Sequence, residues 1–503
     1  MSTNTRRSFV SLAAAGPVLL GQQRPGRRVT PNFLFILADD HAGYALGADG
    51  NRLAGTPNLD RLAAGGVRFS RHFCNSPVCT ASRQSFFTGM LPHATGVTRL
   101  PTPLAPDRPT LARAFRTAGY ETAVFGKMHF NRPDEPGLHG FDHLLTEAAL
   151  QRAWQQDIKP RAIPSDISTK PPWRPFQDPA RIWLNADALP FPRYEDEMKG
   201  TYLANRAIAH LKQKRDRPFA LWVSFTEPHS PYDFPVEDRG KRKPVQFASP
   251  RVRPEDARQI PNIFRELSDD DKRGIQAAYY SSVGFLDRNV GRVLGALREM
   301  NLEEDTFVIY MADHGYNLGQ HGRFEKHCGY DPALRVPLIL RWPGRVRPGT
   351  VRDLTEHVDV PATICDMMGL DPLPGQNGRS LRPYLETGRM EKPLDYVFSE
   401  YLENEEAYIR TAKWKFIFCS GKRKRTDGYV TADPTPGRYR RLYDLGKDAA
   451  EFTDVAGKQP EVAARLEALM LERFRATHPD HGAEPQRLSN AEALEYYLRP
   501  RDA

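Results

Sequence analysis

Cysteine is scarce in this chain: five in 503 residues, at positions 74, 79, 328, 365 and 419. So sparse and odd a set is not a disulfide scaffold; it allows two bridges at most and requires none. Beyond the N-terminus, no apolar run approaches the roughly 18 residues that a membrane span needs. No zinc-finger spacing, helix-turn-helix pattern or Gly-rich nucleotide loop occurs, which argues against a nucleic-acid or nucleotide-binding protein. No internal repeat is visible.

What is present is positive charge. The net charge is +9, which favours anionic partners. Part of it lies in the first residues, at Arg6, Arg7, Arg24, Arg27 and Arg28. Thr5-Arg6-Arg7-Ser8-Phe9-Val10 precedes a short, alanine-rich apolar stretch ending at Leu20. A twin arginine before such a stretch reads as a bacterial Tat signal. The expectation is a leader over residues 1–29, a mature chain starting between Gln22 and Thr30, and a periplasmic or secreted product. It would meet the membrane only through that leader, a lipoprotein-like or uncleaved anchor being the alternative. A second basic cluster, Gly421 to Arg425, reads as a solvated loop rather than a nucleic-acid site.

Up to about residue 380, short apolar runs alternate with amphipathic stretches. This predicts an α/β fold with a mostly parallel central sheet flanked by helices. Thr56 followed by Pro57 opens a helix that Gly65-Gly66 stops, and Asp269 to Met300 has helical spacing. Residues 151–198 are rich in proline and tryptophan with weak periodicity, 232–262 has a similar texture, and both read as insertions over the functional face. The texture changes near Gly375 to Pro393. Tyr396–Phe398, Ala407–Arg410, Trp414–Ile417 and Arg441–Leu445 then read as antiparallel strands, and Pro460–Phe474 as a closing helix. The expected division is 30–385 for a catalytic domain and 386–503 for a smaller α+β C-terminal domain.

Four apolar runs end in chemistry. Asn32–Ala38 runs into Asp39-Asp40, and Thr306–Ala312 into Asp313-His314-Gly315. Ala123–Phe125 runs into Gly126-Lys127-Met128-His129, and Phe219–Phe225 into Thr226-Glu227-Pro228-His229. In an open α/β sheet, ligands bind beyond the carboxyl ends of the strands, so these endings are expected to converge. Taken singly, each could be a turn, a helix cap or a solvated loop. Cys79 begins a helical stretch ending at Thr88-Gly89, with Arg83 one turn on. A sulfur-derived group beside a fixed cation and a helix N-terminus suits chemistry on an anion. The alternative is a buried structural cysteine, or one paired with Cys74.

Together these residues resemble the formylglycine-dependent sulfatases of the alkaline-phosphatase-like superfamily. The resemblance rests on Cys79-Thr80-Ala81-Ser82-Arg83 with Phe87-Thr88-Gly89, on Asp39-Asp40, and on Gly126-Lys127-Met128-His129. It continues through Pro228-His229-Ser230-Pro231, Asp313-His314-Gly315, Leu318-Gly319-Gln320-His321-Gly322, Lys326, Arg335-Val336-Pro337-Leu338 and Trp342-Pro343-Gly344. It implies conversion of Cys79 to formylglycine by a maturation enzyme, and one hard divalent cation, Ca²⁺ foremost with Mg²⁺ or Mn²⁺ as alternatives. Asp39, Asp40, Asp313, His314 and the modified Cys79 would hold that cation. Arg83 would orient the hydrated aldehyde. Lys127 and Lys326 would neutralise sulfate, one of them protonating the leaving oxygen. His129 would be the base, and His229 the acid or a sulfate contact. The implied reaction is hydrolysis of a small-molecule or glycan sulfate ester. The proline- and tryptophan-rich insertions favour a sulfated carbohydrate stacked on Trp154, Trp173 and Trp183.

Three departures from the family pattern stand out: Ala81 for proline, Met128 for tryptophan at the pocket wall, and His314 for asparagine. The last keeps phosphonate and phosphodiester hydrolysis open as an alternative. A silent sulfated-glycan-binding protein is a further alternative.

Overall fold

The structure is a computed structural model describing residues 30–171, 180–257, 259–422, 428–431, 438–481 and 483–500. Eight strands form the central sheet, in the order Gly349–Val351, Val67–Phe69, Leu338–Arg341, Thr306–Ala312, Asn32–Ala38, Phe219–Ser224, Glu121–Gly126, His143–Thr146. Leu338–Arg341 runs antiparallel to both its neighbours, and the remaining pairings are parallel.

The sheet is buried on both faces, which is why its central strands read as unbroken apolar runs. Phe33, Phe35 and Leu37 face one core with Trp222, Phe307 and Met311. Leu34, Ile36 and Ala38 face the other with Leu221, Val223, Val308 and Tyr310. The Cys79–Thr88, Leu111–Thr117 and Asp359–Met368 helices cover the first face; Pro57–Ala64, Lys199–Leu211 and Asp269–Glu299 cover the second. The 31-residue Asp269–Glu299 helix starts at a capping box between Ser268 and Asp271. Thr56 does precede the Pro57–Ala64 helix, but its hydroxyl does not cap it. That hydroxyl instead takes the Gly47 N–H and donates to Asp60.

Toward the C-terminus, Tyr396–Tyr401, Glu406–Thr411, Trp414–Cys419 and Tyr439–Asp444 form a four-stranded antiparallel sheet. The first three strands extend beyond the segments legible in the sequence; the fourth begins two residues before Arg441 and ends one before Leu445. One face packs under the Pro460–Thr477 and Asn490–Tyr497 helices through Phe398, Ile409, Phe416, Leu466, Phe474 and Tyr497. The other carries Val397, Tyr401, Tyr408 and Ile417 against Val78 and Ala81, the flanks of Cys79. This second sheet therefore braces the start of the Cys79 helix. Among the described residues, no helix is long and apolar enough to cross a membrane. All five cysteines are free and buried, so the Cys74–Cys79 pairing does not form.

Candidate active site

The four strands whose endings carry charged residues are consecutive in the sheet, from Thr306–Ala312 through Asn32–Ala38 and Phe219–Ser224 to Glu121–Gly126. Their register does the rest. Ala38 pairs with Ala312, so Asp39 and Asp313 leave the sheet side by side. The Asp313 N–H donates to Ala38 O, and the Asp40 N–H donates to Asp313 Oδ1 at 3.2 Å. Asp40 sits at φ 63°, a left-handed conformation that aspartate tolerates. Its carbonyl is fixed by the Tyr279 hydroxyl at 2.7 Å. Gly126 pairs with Ser224 at φ 102°, and any Cβ there would lie 1.9 Å from Ser224 O. Glycine is required at that position, and the turn sends Lys127 and His129 over the same end of the sheet.

Cys79 opens the Cys79–Thr88 helix and is fully buried. Its Sγ lies 3.1 Å from His314 Nε2, 3.1 Å from Lys326 Nζ, 3.6 Å from Asp39 Oδ1 and 3.8 Å from Lys127 Nζ. Burial and Asp39 push the thiol up. Lys127, Lys326 and His314 together outweigh them and bring it below its usual range. The expectation is that Arg83 faces the Cys79 group; its guanidinium instead bonds two carboxylates, a hydroxyl and a backbone carbonyl. Nε donates to Asp313 Oδ2 at 2.9 Å, Nη2 to Asp39 Oδ2 at 3.2 Å, and Nη1 to Ser224 Oγ at 2.9 Å and to Lys127 O. Asp39 also pairs with Lys127, and Asp40 Oδ1 with Lys326 at 2.9 Å.

The two adjacent acids differ in protonation. Burial favours the neutral form of Asp39, but Lys127, His229 and Arg83 hold it well below the usual carboxylate range. Burial pushes Asp40 up to about 7; Lys326 opposes this and Asp39 reinforces it. Burial lowers His129 to about 3, helped by Lys127 and Arg83, and likewise drives His229 well down. Both imidazoles are therefore neutral at ordinary pH. His314 goes the other way: burial disfavours its charge, but Asp313 and Cys79 lift it to about 9.

Asp39, Cys79, Asp313 and His314 bring donor atoms within 4.8 Å of one another, and so do Asp39, Asp40, Cys79 and His229. Asp40 Oδ2 is buried and accepts no hydrogen bond. Three clustered carboxylates, one with a buried oxygen that accepts no hydrogen bond and has His229 Nε2 at 3.9 Å, fit a hard cation with oxygen ligands. This is a candidate metal site beside Cys79.

Above it opens a cavity of about 810 Å³, lined at the base by Asp40, Cys79, Lys127, His129, His229 and Lys326. Every expected site residue thus lines this base or, for Arg83, Asp39, Asp313 and His314, lies directly beneath it. The walls come mainly from residues 147–171 and 183–198, including Trp154, Trp183, Phe191 and Met198; the 232–262 segment contributes Asp233. That segment otherwise packs inward, through Phe234 and Phe247. Trp154 is buried and donates Nε1–H to Glu197 O, and Trp173 lies outside the described residues. Met128, expected at the pocket wall, packs instead in the core with Phe87, Phe130 and Phe141. Ser224, Gln84 and Glu147, which hold the Lys127–His129 loop, were not legible in the sequence. The position of Ser224 at a strand end was the one available signal.

Comparison with known proteins agrees with this geometry. The Sulfatase family model matches residues 31–370, and the model for the C-terminal region of N-sulphoglucosamine sulphohydrolase matches 319–477. The chain is 29% identical over 484 residues to a choline-sulfatase of Rhizobium meliloti, covering 90% of this chain and 87% of that protein. It is 27% identical over 506 residues to a Δ4,5-hexuronate-2-O-sulfatase of Bacteroides thetaiotaomicron, covering 94% and 93%. Among solved structures, the phosphonate monoester hydrolase of Agrobacterium radiobacter superposes with a TM-score of 0.72 at 27% identity, covering 90% of this chain and 97% of that one. The chain belongs to the sulfatase family, as a sulfuric ester hydrolase with the alkaline-phosphatase-like fold.

Proposed function

We propose that the chain hydrolyses sulfate esters of carbohydrates through Cys79 carried as formylglycine, beside one Ca²⁺ held by Asp39, Asp40, Asp313 and His314. The observation that supports this most directly is the set of contacts around Cys79 Sγ: Lys326 and His314 at 3.1 Å, Lys127 at 3.8 Å, and Asp39 at 3.6 Å. Cations gather around the position where an anionic ester would react, and carboxylates lie immediately beneath.

When bound, the cation would polarise the ester oxygens and lower the pKa of the attacking hydroxyl. The hydrated aldehyde of formylglycine would supply the nucleophile and a second hydroxyl for release of sulfate. The remaining work belongs to the chain. Arg83 holds Asp39 and Asp313 in place. Lys127 and Lys326 neutralise the sulfate, and Lys326 is the proton donor to the leaving oxygen. His129 is neutral and accepts the hydroxyl proton. The partner of His229 Nδ1 is the Ser230 carbonyl at 2.7 Å, so that nitrogen carries the hydrogen and Nε2 the lone pair. His229 therefore enters as a proton acceptor or cation ligand, and the acid role passes to Lys326.

The carbohydrate reading draws on the aromatic cavity wall and on the hexuronate sulfatase relative. Residues 1–29 are proposed as the Tat leader, with domains at 30–385 and 386–503. A phosphonate or phosphodiester substrate is the second reading, favoured by His314 and by the likeness to the Agrobacterium hydrolase. The test has two arms: mass spectrometry of the Cys79 peptide after co-expression with a formylglycine-generating enzyme, and turnover on sulfated saccharides, choline sulfate, aryl sulfates and phosphodiesters. An unmodified Cys79 in an active enzyme defeats the nucleophile. Faster turnover of phosphodiesters than of any sulfate ester favours the second reading.

A further inference from the structure

The loop carrying Lys127 and His129 is bonded on nearly every backbone group. The Lys127 carbonyl accepts from Arg83 Nη1 and Ser224 Oγ. Gln84 Nε2 donates to Met128 O at 3.1 Å and to His129 O at 3.0 Å. The Lys127 N–H donates to Ser224 O at 2.9 Å. That leaves the N–H groups of Met128 and His129, and one atom takes both: Glu147 Oε1, at 2.5 Å from each.

Both partners are strained. His129 lies at φ 54°, and Glu147, first residue of the Glu147–Asp157 helix, at φ 22°. Non-glycine residues keep such conformations only where their surroundings over-determine them. Glu147 is itself held from behind, since Asp134 bonds the N–H and hydroxyl of the preceding Thr146. Its side chain lines the reaction cavity with His129.

We propose that Glu147 is the positioning residue for His129: its carboxylate oxygen gathers two adjacent N–H groups and so fixes the imidazole in the cavity that Cys79 lines. This rests on His129 being the base. The role belongs to the acceptor oxygen rather than to the negative charge. Glutamine at this position keeps an acceptor oxygen; alanine leaves two buried donors without one, and the loop relaxes. A small displacement of a catalytic group lowers turnover far more than binding.

The experiment compares Glu147→Ala, Glu147→Gln and His129→Ala on one sulfate ester, with thermal unfolding of each. Glu147→Ala should lower kcat roughly 10- to 100-fold with KM within about twofold of wild type. Glu147→Gln should restore kcat to within about threefold, the acid limb of the pH profile moving only downward because the carboxylate charge it removes favours a proton on His129. A merely structural residue would lower the unfolding midpoint without that split between kcat and KM. If Glu147→Ala does not fold, Glu147→Asp takes its place, because the shorter side chain cannot reach both N–H groups. The proposal is overturned if Glu147→Ala turns over like wild type while His129→Ala is impaired, or if Glu147→Gln is as slow as Glu147→Ala. Wild-type turnover in His129→Ala removes the base assignment, and this inference with it.

Discussion

The base and the wall of the active-site cavity are built on different principles. The base gathers acids, lysines and neutral imidazoles at the ends of four consecutive strands around Cys79, with Asp39, Asp40 and Asp313 each held by a cation. Arg83 touches both Asp39 and Asp313 with no solvent exposure on any of the three. A buried ion triad of this kind contributes little net stability, yet loss of one partner costs about 3–5 kcal/mol. The wall consists of Trp154, Trp183, Phe191 and Met198, from a segment outside the sheet. Nothing in the register of the sheet dictates those residues. On the proposed reading, the contrast teaches that the base sets which bond is broken, and the wall which alcohol is released.

The severest way to break this comparison is at the base. Cys79→Ala should fold normally and reduce turnover to background, because no other group supplies the covalent centre. Cys79→Ser, with one hydroxyl and no second, should turn over poorly or accumulate a sulfated intermediate detectable by intact mass. Appreciable turnover by the alanine variant would show that the base does not work through residue 79.

Next in size comes Asp40→Asn, a near-isosteric change. Asp40 carries a buried oxygen that accepts no hydrogen bond, so bound metal should fall and turnover drop roughly 100-fold or more, as losing a ligand exceeds losing a residue that merely orients one. Metal analysis of the purified variant is the check, with Ca²⁺ and Mg²⁺ added back to chelated wild type as the control. Unchanged metal content in the variant would remove Asp40 from the ligand set.

The same contrast explains what the sequence disclosed. The base was legible because a buried parallel strand is a continuous apolar run, and a charged cluster at its end is conspicuous. Asp39, Lys127, His229 and Asp313 all follow such runs. The C-terminal strands were legible too, in shortened form, since polar residues such as Ser399-Glu400 and Arg440 interrupt the apolar signal at their ends, even where they are buried. Glu147 and Gln84 were not legible. They act by bonding backbone groups of a loop distant in sequence, and that leaves no local pattern. Met128 was misplaced because residues flanking Lys127 can face either the cavity or the core, and spacing alone does not choose. The wall was read as three stacking tryptophans; Trp154 has its Nε1–H tied to Glu197 O, which makes it part of the packing as well.

A milder test therefore addresses the wall. Trp154→Phe retains an aromatic face and removes the bond to Glu197 O, worth about 1 kcal/mol. If the wall selects the alcohol, KM for a sulfated saccharide should rise about threefold, while a small aryl sulfate should be unaffected. Equal changes on both substrates would mean that the substitution disturbs the base through packing.

The smallest expected effect sharpens the comparison most, because it sits where wall meets base. Glu227 lines the cavity, and its backbone carbonyl accepts the Asp39 N–H at 3.2 Å. Burial raises its carboxyl to about 7, against the opposing influence of Lys199. The sign follows directly. Below that pH the group is neutral and tolerates an anionic substituent on the alcohol; above it the carboxylate repels one. KM for a saccharide bearing a second sulfate or a carboxylate should therefore rise a few-fold as pH passes through about 7, whereas KM for a neutral aryl alcohol stays level. Glu227→Gln cannot ionise and should abolish the rise without altering kcat on the aryl ester. A rise that persists in this variant would assign the titration to the base, where Asp40 lies in the same range, and Glu227 would then have no part in choosing the alcohol.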